Sequence, residues 1–283
     1  MVSAGYNARR TDHRFSHLIM QASNLPTVSI ITPSYNQARF IEETIRSVLV
    51  QDYPNIEYII IDGGSTDGSP AIIQKYAGQL AWWISEKDQG QADALNKGFA
   101  HASGEILAWL NSDDTYIPGA ISEAVTYLQA HPEVGMVYGD ADLTDENGQV
   151  IGRFAARQTD HRRLLRGSVH IPQATTFFRA GLWRQIGPLD LSLFFAFDYN
   201  FWVQLAKVSR LQYLPRLWAT FRLHSKGKSV RFDDRCYPDM LRIYQRECGH
   251  RLSWLWLRAK VRRLFYAWLP LRLRLFLRRI FIL

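Results

Sequence analysis

The chain has 283 residues, 47% of them hydrophobic and 21% charged, which is enough apolar material for one sizeable core and excludes disorder of the whole chain. Two cysteines, Cys236 and Cys248, with no metal-site histidine pattern beside them, make neither a disulfide framework nor a zinc site, so a reducing compartment is expected. Nine of the 34 cations and none of the acids fall in residues 251–283; the other 25 cations face 26 acids, so the body is near neutral despite the formal +8, and a nucleic-acid-binding body is disfavoured.

Residues 1–25 reach Arg9, Arg10, Asp12 and Arg14 before any apolar run forms and lack the apolar stretch of a secretory signal; they read as an extension, ordered or loose. Val28–Thr32 is a β-branched buried-strand run closed by Pro33. A helical pattern follows, with Phe40, Ile41, Ile45, Val48 and Leu49 near one face, ended by Tyr53-Pro54. Ile56–Ile61 is a second strand running into the turn Asp62-Gly63-Gly64-Ser65. A helix over Ser69–Tyr76, a short strand Ala81–Ile84 and a helix Gln91–His101 come next. Ile106–Leu110 is a central strand that runs straight into Asn111-Ser112-Asp113-Asp114, and a helix after Pro118 leads to a strand Gly135–Tyr138. This alternation predicts a parallel sheet with helices on both faces, whose ligands bind at the carboxyl ends of the strands. The polar clusters Ser34–Asn36, Asp62–Asp67 and Asn111–Asp114 sit at those ends.

Beyond Tyr138 the pattern changes. Asn147-Gly148 reads as a hairpin turn between Asp140–Thr144 and Gln149–Phe154. Residues 173–178 read as a strand, Phe197–Lys207 as a helix, Leu211–Leu223 as mostly extended, and Asp239–Glu247 as helical.

Five constellations could carry chemistry, and each has an ordinary structural alternative. Asp113 and Asp114, held at the end of a buried strand, suit a hard divalent cation bridging to phosphate oxygens, but equally a turn or helix cap. Asp62-Gly63-Gly64-Ser65-Thr66-Asp67 allows close approach to a ligand, though alone a tight strand-to-helix turn is the commoner meaning. Asp93, Asn96 and Lys97 share a face of one helix, downstream of Glu86-Lys87-Asp88, and that face could simply be solvated. Asp198, flanked by Phe197 and Tyr199 at a helix start, could be a general base with a raised pKa or a helix cap. His224 matters only if it folds back toward Asp113. Gly227-Lys228-Ser229 looks like the end of a phosphate-binding P-loop, but the earlier glycine position holds Arg222, and no dinucleotide Gly-x-Gly-x-x-Gly follows any predicted strand.

The order of these motifs is more specific than any one of them. Val28-Ser-Ile-Ile-Thr-Pro-Ser-Tyr-Asn36, Ile59-Ile-Ile-Asp-Gly-Gly-Ser-Thr-Asp67 and Leu110-Asn-Ser-Asp-Asp114 resemble family 2 of the inverting glycosyltransferases, which have the GT-A fold. Gln89–Gly98 and Ile171–Phe178 are similar to that family's bacterial members that build polysaccharides and glycolipids, and the resemblance covers roughly residues 27–230. It implies an α/β, Rossmann-like, mostly parallel central sheet with helices on both faces. The expected division is an extension 1–25, a transferase domain 26–230 with a nucleotide-binding half 26–138 and an acceptor half 139–230, and a helical tail 231–283.

Carried over residue by residue, the resemblance assigns Thr32, Pro33, Tyr35 and Asn36 to the loop around base and ribose. It assigns Asp62, with Gly63 and Ser65, to reading the base, Asp88 and Gly90 to the next nucleoside-facing loop, and Asn96 and Lys97 to the sugar-phosphate. In the family's Asp-x-Asp metal motif Asp113 matches the last acid, while Asn111 replaces the first, which weakens metal affinity rather than abolishing it. Ser112 joins the nucleotide residues, and Asp114 and Gln173 are further candidates. Asp198 falls where the family places its general base and His224 where many members carry another metal or diphosphate contact. The implied activity is a hexosyltransferase-type single displacement from a nucleotide-diphosphate sugar, UDP-linked in the family's commonest case. The implied acceptor is a glycan or lipid-linked hydroxyl, and the cofactor Mg²⁺ or Mn²⁺.

Residues 251–283 mix Trp254, Trp256, Tyr266, Trp268 and leucines with the nine cations, and no uncharged run exceeds the eight residues Leu264–Leu271. Too short to span a bilayer, the segment reads as an amphipathic stretch on an anionic membrane surface, or as a helix packed on the body or on another copy. The expected location is therefore cytoplasmic, peripheral to the inner membrane face, with no nucleic-acid partner. Two other functions compete with the transferase. A sugar-nucleotide-binding scaffold is made possible by Asn111, and a nucleotidylyltransferase would need a Gly-rich basic phosphate loop that Thr32–Asn36 lacks.

Overall fold

The computed structural model describes residues 25–167, 169–225, 227–228, 236–249 and 256–257. The expected extension, apart from Leu25, and nearly all of the basic tail with its membrane-surface role lie outside the described residues. Among the described residues no helix is long and apolar enough to cross a membrane.

β1 (Val28–Ser34), β2 (Ile56–Asp62), β3 (Trp82–Ser85) and β4 (Ile106–Trp109) form a parallel block in the spatial order β3-β2-β1-β4. Each strand is apolar on both faces because helices cover both. Tyr58 and Ile60 of β2 enter one hydrophobic cluster, with Ile41, Ile45 and Val48 of α1 (Ile41–Leu49). Ile59 and Ile61 enter the other, with Leu95 and Phe99 of α3 (Gln91–His101). α2 (Ser69–Lys75) links β2 to β3.

Pro33 does not close β1 as the sequence suggests but lies inside it, opposite Ile61. The strand tolerates it because backbone groups alternate sides. Ile31 O accepts from Leu110 N on the β4 side and Ser34 O from Gly63 N on the β2 side, so Pro33 faces the β4 side beyond the point where β4 has ended.

The second half of the sheet is mixed. β8 (Phe177–Arg179) runs antiparallel to β4 and to β6 (Val134–Thr144), and β9 (Arg210–Arg222) lies parallel to β6. β5 (Thr115–Tyr116) closes the far edge against β9, and β7 (Val150–Phe154) pairs with β6 through the predicted hairpin, with Gly148 at φ 80°. The predicted strand 173–178 is instead a 3-10 turn, Gln173–Thr175, followed by the short β8. The turn lifts Gln173 out of the sheet, where its amide Nε2 donates to Trp109 O at 2.8 Å.

α4 (Ala120–Ala130), α5 (His161–Leu165) and α6 (Ala180–Ile186) are short covering helices. α7 (Phe197–Val208) carries Trp202, stacked on Trp109 with ring centroids 5.1 Å apart and interplanar angle 12°. That contact anchors the middle of α7 beside the end of β4. α8 (Cys236–Cys248), which the sequence groups with the tail, packs on α7. Its Asp239 accepts from Phe195 N at 2.9 Å, and Arg246 reaches Asp190 at 3.3 Å.

Candidate active site

The register Ser34–Asp62–Ser85 lines up the carboxyl ends of β1, β2 and β3 in one row. Asp62, fully buried, accepts from Ser65 N at 2.9 Å, Ser65 Oγ at 2.5 Å and Ser85 Oγ at 2.7 Å. Its carboxylate shapes the glycine turn. Asn36, in the left-handed region at φ 53°, donates its N–H to Ser65 Oγ at 2.8 Å and accepts from Thr66 N at 3.0 Å. Asp67 accepts from Ala38 N at 2.9 Å. The two post-strand loops are thus laced together, and Thr32 is buried behind them with its hydroxyl 3.1 Å from Tyr58 Oη.

Beside this lacing opens a cavity of about 630 Å³. Pro33, Ser34, Tyr35, Gly63, Asp88 and Gly90 form one wall, with Tyr35 62% exposed at the rim. Asn111, Ser112, Asp113 and Gln173 form the floor, and Asp198, Phe194, Phe197 and Lys228 close the far side. Thr32, Asn36, Asp62, Ser65, Asn96, Lys97, Asp114 and His224 do not line it. Asn96 is committed elsewhere: its amide exchanges hydrogen bonds with Leu189, at 2.8 and 3.0 Å, which ties α3 to the loop before α7. Lys97 pairs with Glu86 at 2.8 Å and Asp93 at 3.6 Å.

The floor is a polar network. Asn111 Oδ1 accepts from Gln91 Nε2 at 2.7 Å, while Asn111 Nδ2 donates to Gln173 Oε1 at 3.0 Å and to Asp114 Oδ2 at 3.2 Å. Asp114 also accepts from Arg222 N at 3.0 Å and is almost wholly buried. Burial, then the neighbouring Asp113 charge, pushes its pKa well above the usual carboxylate range, so it is a structural acid. Asp113 is different: its side chain reaches the cavity, and Oδ2 lies 2.9 Å from His224 Nε2. β9 delivers His224, which packs on Phe40 with ring centroids 4.8 Å apart. Arg222 fixes the arrangement from behind, donating Nε to Asp113 O at 3.0 Å and Nη2 to Glu43 at 2.6 Å.

Asp198 sits in the first turn of α7, where its Oδ1 accepts from Tyr199 N at 2.6 Å. Burial raises its pKa, and the charge of Lys228 partly opposes that. Lys228 is lowered to about 8 by burial, against the pull of Asp198. Burial raises Asp88 as well, its bond from Gly90 N at 2.8 Å notwithstanding. Titratable groups displaced in this way and gathered in one cleft are the mark of a reactive site. Two buried polar atoms of residues that border the cavity, Ser34 Oγ and Trp109 Nε1, have no hydrogen-bond partner among the described residues.

Sequence reasoning missed Lys228, Arg222 and Gln91. In the sequence Lys228 shows only in an incomplete P-loop fragment, Arg222 only as the residue that breaks that fragment and as a neighbour of His224, and Gln91 only as part of the Gln89–Gly98 motif at a predicted helix start.

The sequence profile of glycosyl transferase family 2 matches residues 29–185. An uncharacterized glycosyltransferase of Mycobacterium tuberculosis (strain H37Rv) is 32% identical over 256 residues, covering 87% of this chain and 94% of the relative. Another, from Rickettsia typhi, is 30% identical over 208 residues, 70% of this chain and 64% of that protein. Among solved structures, S. aureus TarS 1–349 in complex with UDP-GlcNAc superposes with TM-score 0.65 at 18% identity, over 82% of this chain and 71% of TarS 1–349. The mannosyltransferase PcManGT of Pyrobaculum calidifontis, in complex with GDP-Man and Mn²⁺, gives 0.63 at 23% identity, over 84% and 70%. The GT-A architecture of these neighbours is the one built here from the two-faced sheet and its strand-end cavity. With the family profile spanning more than half of its length, the chain belongs to glycosyl transferase family 2 and is a glycosyltransferase.

Proposed function

We propose that the chain moves a sugar from a nucleotide-diphosphate donor, a UDP-sugar in the first instance, onto a hydroxyl of a glycan or lipid-linked acceptor, inverting the anomeric carbon. The observation that carries this reading is the convergence of Asp88, Asp113 and Asp198, from three different segments, on one cavity at the sheet's carboxyl edge. The nucleotide donors seen in the two structural neighbours support it. Residues 26–138 supply the donor side of this cavity and residues 139–230 the acceptor side.

Asp198 takes the acceptor hydroxyl's proton while that oxygen forms the new bond to the anomeric carbon. The bond from that carbon to the diphosphate breaks, and its electron pair leaves with the nucleoside diphosphate. Asp113 and His224 are the side chains that would hold a divalent cation. No group of three or more His, Cys, Asp or Glu converges among the described residues, so these two side chains are the ones that would serve as protein ligands. When bound there, such an ion would supply positive charge to offset what develops on the leaving diphosphate. The enzyme works at the cytoplasmic membrane face, building a polysaccharide or glycolipid, with its basic residues 251–283 against the anionic leaflet.

Calorimetric titration with UDP, GDP and dTDP in Mn²⁺ tests the donor site. One of them is expected to bind with micromolar affinity; folded protein that binds none sinks the active-transferase reading and leaves a scaffold. A second expectation concerns Gly63, where an added Cβ would lie 2.6 Å from Asp88 Oδ2. Gly63→Ala pushes Asp88 out of the wall, so nucleotide affinity should drop on the order of tenfold while the unfolding midpoint stays within a few degrees. Unchanged affinity would remove Asp88 from the donor site.

A further inference from the structure

Asn111 is locked in one orientation. Gln91 Oε1 accepts from Lys228 Nζ at 3.3 Å, so Gln91 turns its amide N–H toward Asn111 Oδ1, at 2.7 Å. The Asn111 amide nitrogen then points at two acceptors, Gln173 Oε1 and Asp114 Oδ2. A carboxylate at 111 would face both of them as a like partner, which explains the amide at this position. Both of its polar atoms are consumed inside the protein. The floor therefore offers the donor one cavity-facing acid, Asp113, where the Asp-x-Asp pattern would offer two.

At the other end of the same hydrogen-bond chain stands a cation. Lys228 is flanked by Phe194 and Phe197, each ring centroid 4.8 Å from Nζ, and it lines the cavity together with Asn111, Ser112 and Asp113. An ammonium has three donors. One goes to Gln91, and among the described residues no carboxylate forms an ion pair with Nζ. Asp198 acts on it from farther off, through its charge alone. A half-buried cation with spare donors, tethered to the motif that should hold phosphate, is a site for an anion. An incoming phosphate would also restore the protonation that burial erodes.

We propose that Lys228 binds the donor's diphosphate, supplying by a side-chain ammonium part of the positive charge that the altered Asp-x-Asp motif no longer gathers through metal. Nucleotide binding then has a component that survives removal of divalent ions. This rests on the donor-site reading above.

The test is calorimetric titration of the full chain with the nucleoside diphosphate that binds in Mn²⁺, repeated in chelator, on wild type, Lys228→Met and Lys228→Arg. Methionine keeps the stem between the two rings, and thermal unfolding checks that each variant is folded. Wild type is expected to bind in chelator, weakened. Lys228→Met should lose a further factor of about ten or more in chelator and keep its gain from Mn²⁺, and Lys228→Arg should stay within about threefold of wild type. Wild-type binding that vanishes altogether in chelator, or Lys228→Met that binds there like wild type, overturns the inference while leaving the donor site standing. No nucleotide binding in any condition overturns both.

Discussion

Asp198→Asn is expected to lower kcat by about 10²–10⁴-fold and to change nucleotide affinity by less than about twofold. The amide keeps the shape and the bond from Tyr199 N but cannot take a proton. The size of the loss follows from what a positioned base contributes, several kcal/mol of barrier on the order of 1.4 kcal/mol per factor of ten. Binding should survive because the floor that meets the donor, Asn111–Asp113, lies on a different segment. The wild-type pH profile carries the same signature. Burial raises the Asp198 pKa, so its basic form is lost on going down through a pH above the ordinary carboxylate range, and the acid limb of kcat/KM should begin there. Lys228→Met removes a cation that holds this pKa down, and the limb should move to still higher pH.

Stability runs the other way. A carboxyl whose pKa is higher folded than unfolded binds more protons in the native state, so its ionisation subtracts stability as pH rises through that interval. Asp198→Asn should therefore unfold at the same temperature as wild type or slightly above it at neutral pH. A variant that turns over at more than a tenth of the wild-type rate, with the product and its configuration unchanged, removes Asp198 from the base role.

How much of this was legible beforehand depends on which residues carry local information. β1 and β2 announce themselves because Val28, Ile30, Ile31 and Ile59–Ile61 are buried on both faces, and a run of that composition has few other uses. The helix Gln91–His101 has the predicted ends because Gly90, at φ 116°, starts it and an extended Ala102 stops it. The row of polar strand ends follows from the same alternation. What the chain does not advertise is which atom of a polar cluster turns inward. Asp62 and Asp113 follow equally buried strands, yet Asp62 meets two donors from Ser65 in its own turn and a third from Ser85 on β3, while Asp113 meets His224, 111 residues away in sequence. Asn96 looks like its helix neighbours, yet the loop at Leu189 claims it. Lys228 acquires meaning only from Phe194, Phe197 and Gln91, three positions that no local pattern connects. Pro33 and the 3-10 turn at Gln173 depart from the sequence expectation for a related reason: Pro33 continues β1 where β4 no longer pairs with it, and the Gln173 amide reaches Trp109 O, both of them tertiary facts.

Asp113→Ala is expected to abolish the gain in nucleotide affinity from Mn²⁺ and to lower kcat/KM by about 10²–10⁴-fold. Asp113 is the acid of the floor whose carboxylate reaches the cavity, since Asp114 is closed in by Arg222 N and Asn111 Nδ2. A divalent ion held by few protein ligands depends heavily on each of them, and His224 alone is a weak site for Mg²⁺ or Mn²⁺. The variant must be separated from a folding defect, because truncation also leaves the buried His224 ring nitrogen without its partner at 2.9 Å. That orphaned group costs about 1–3 kcal/mol. Asp113→Asn restores a partner for His224 while removing the charge, so it should recover stability and remain deficient in metal response. Titrations in Mn²⁺ and in chelator, run on both variants beside wild type, read the two effects apart. If Asp113→Asn gains as much affinity from Mn²⁺ as wild type does, the ion is held elsewhere. If affinity in chelator also collapses in both variants, Asp113 organises the nucleotide pocket rather than the ion.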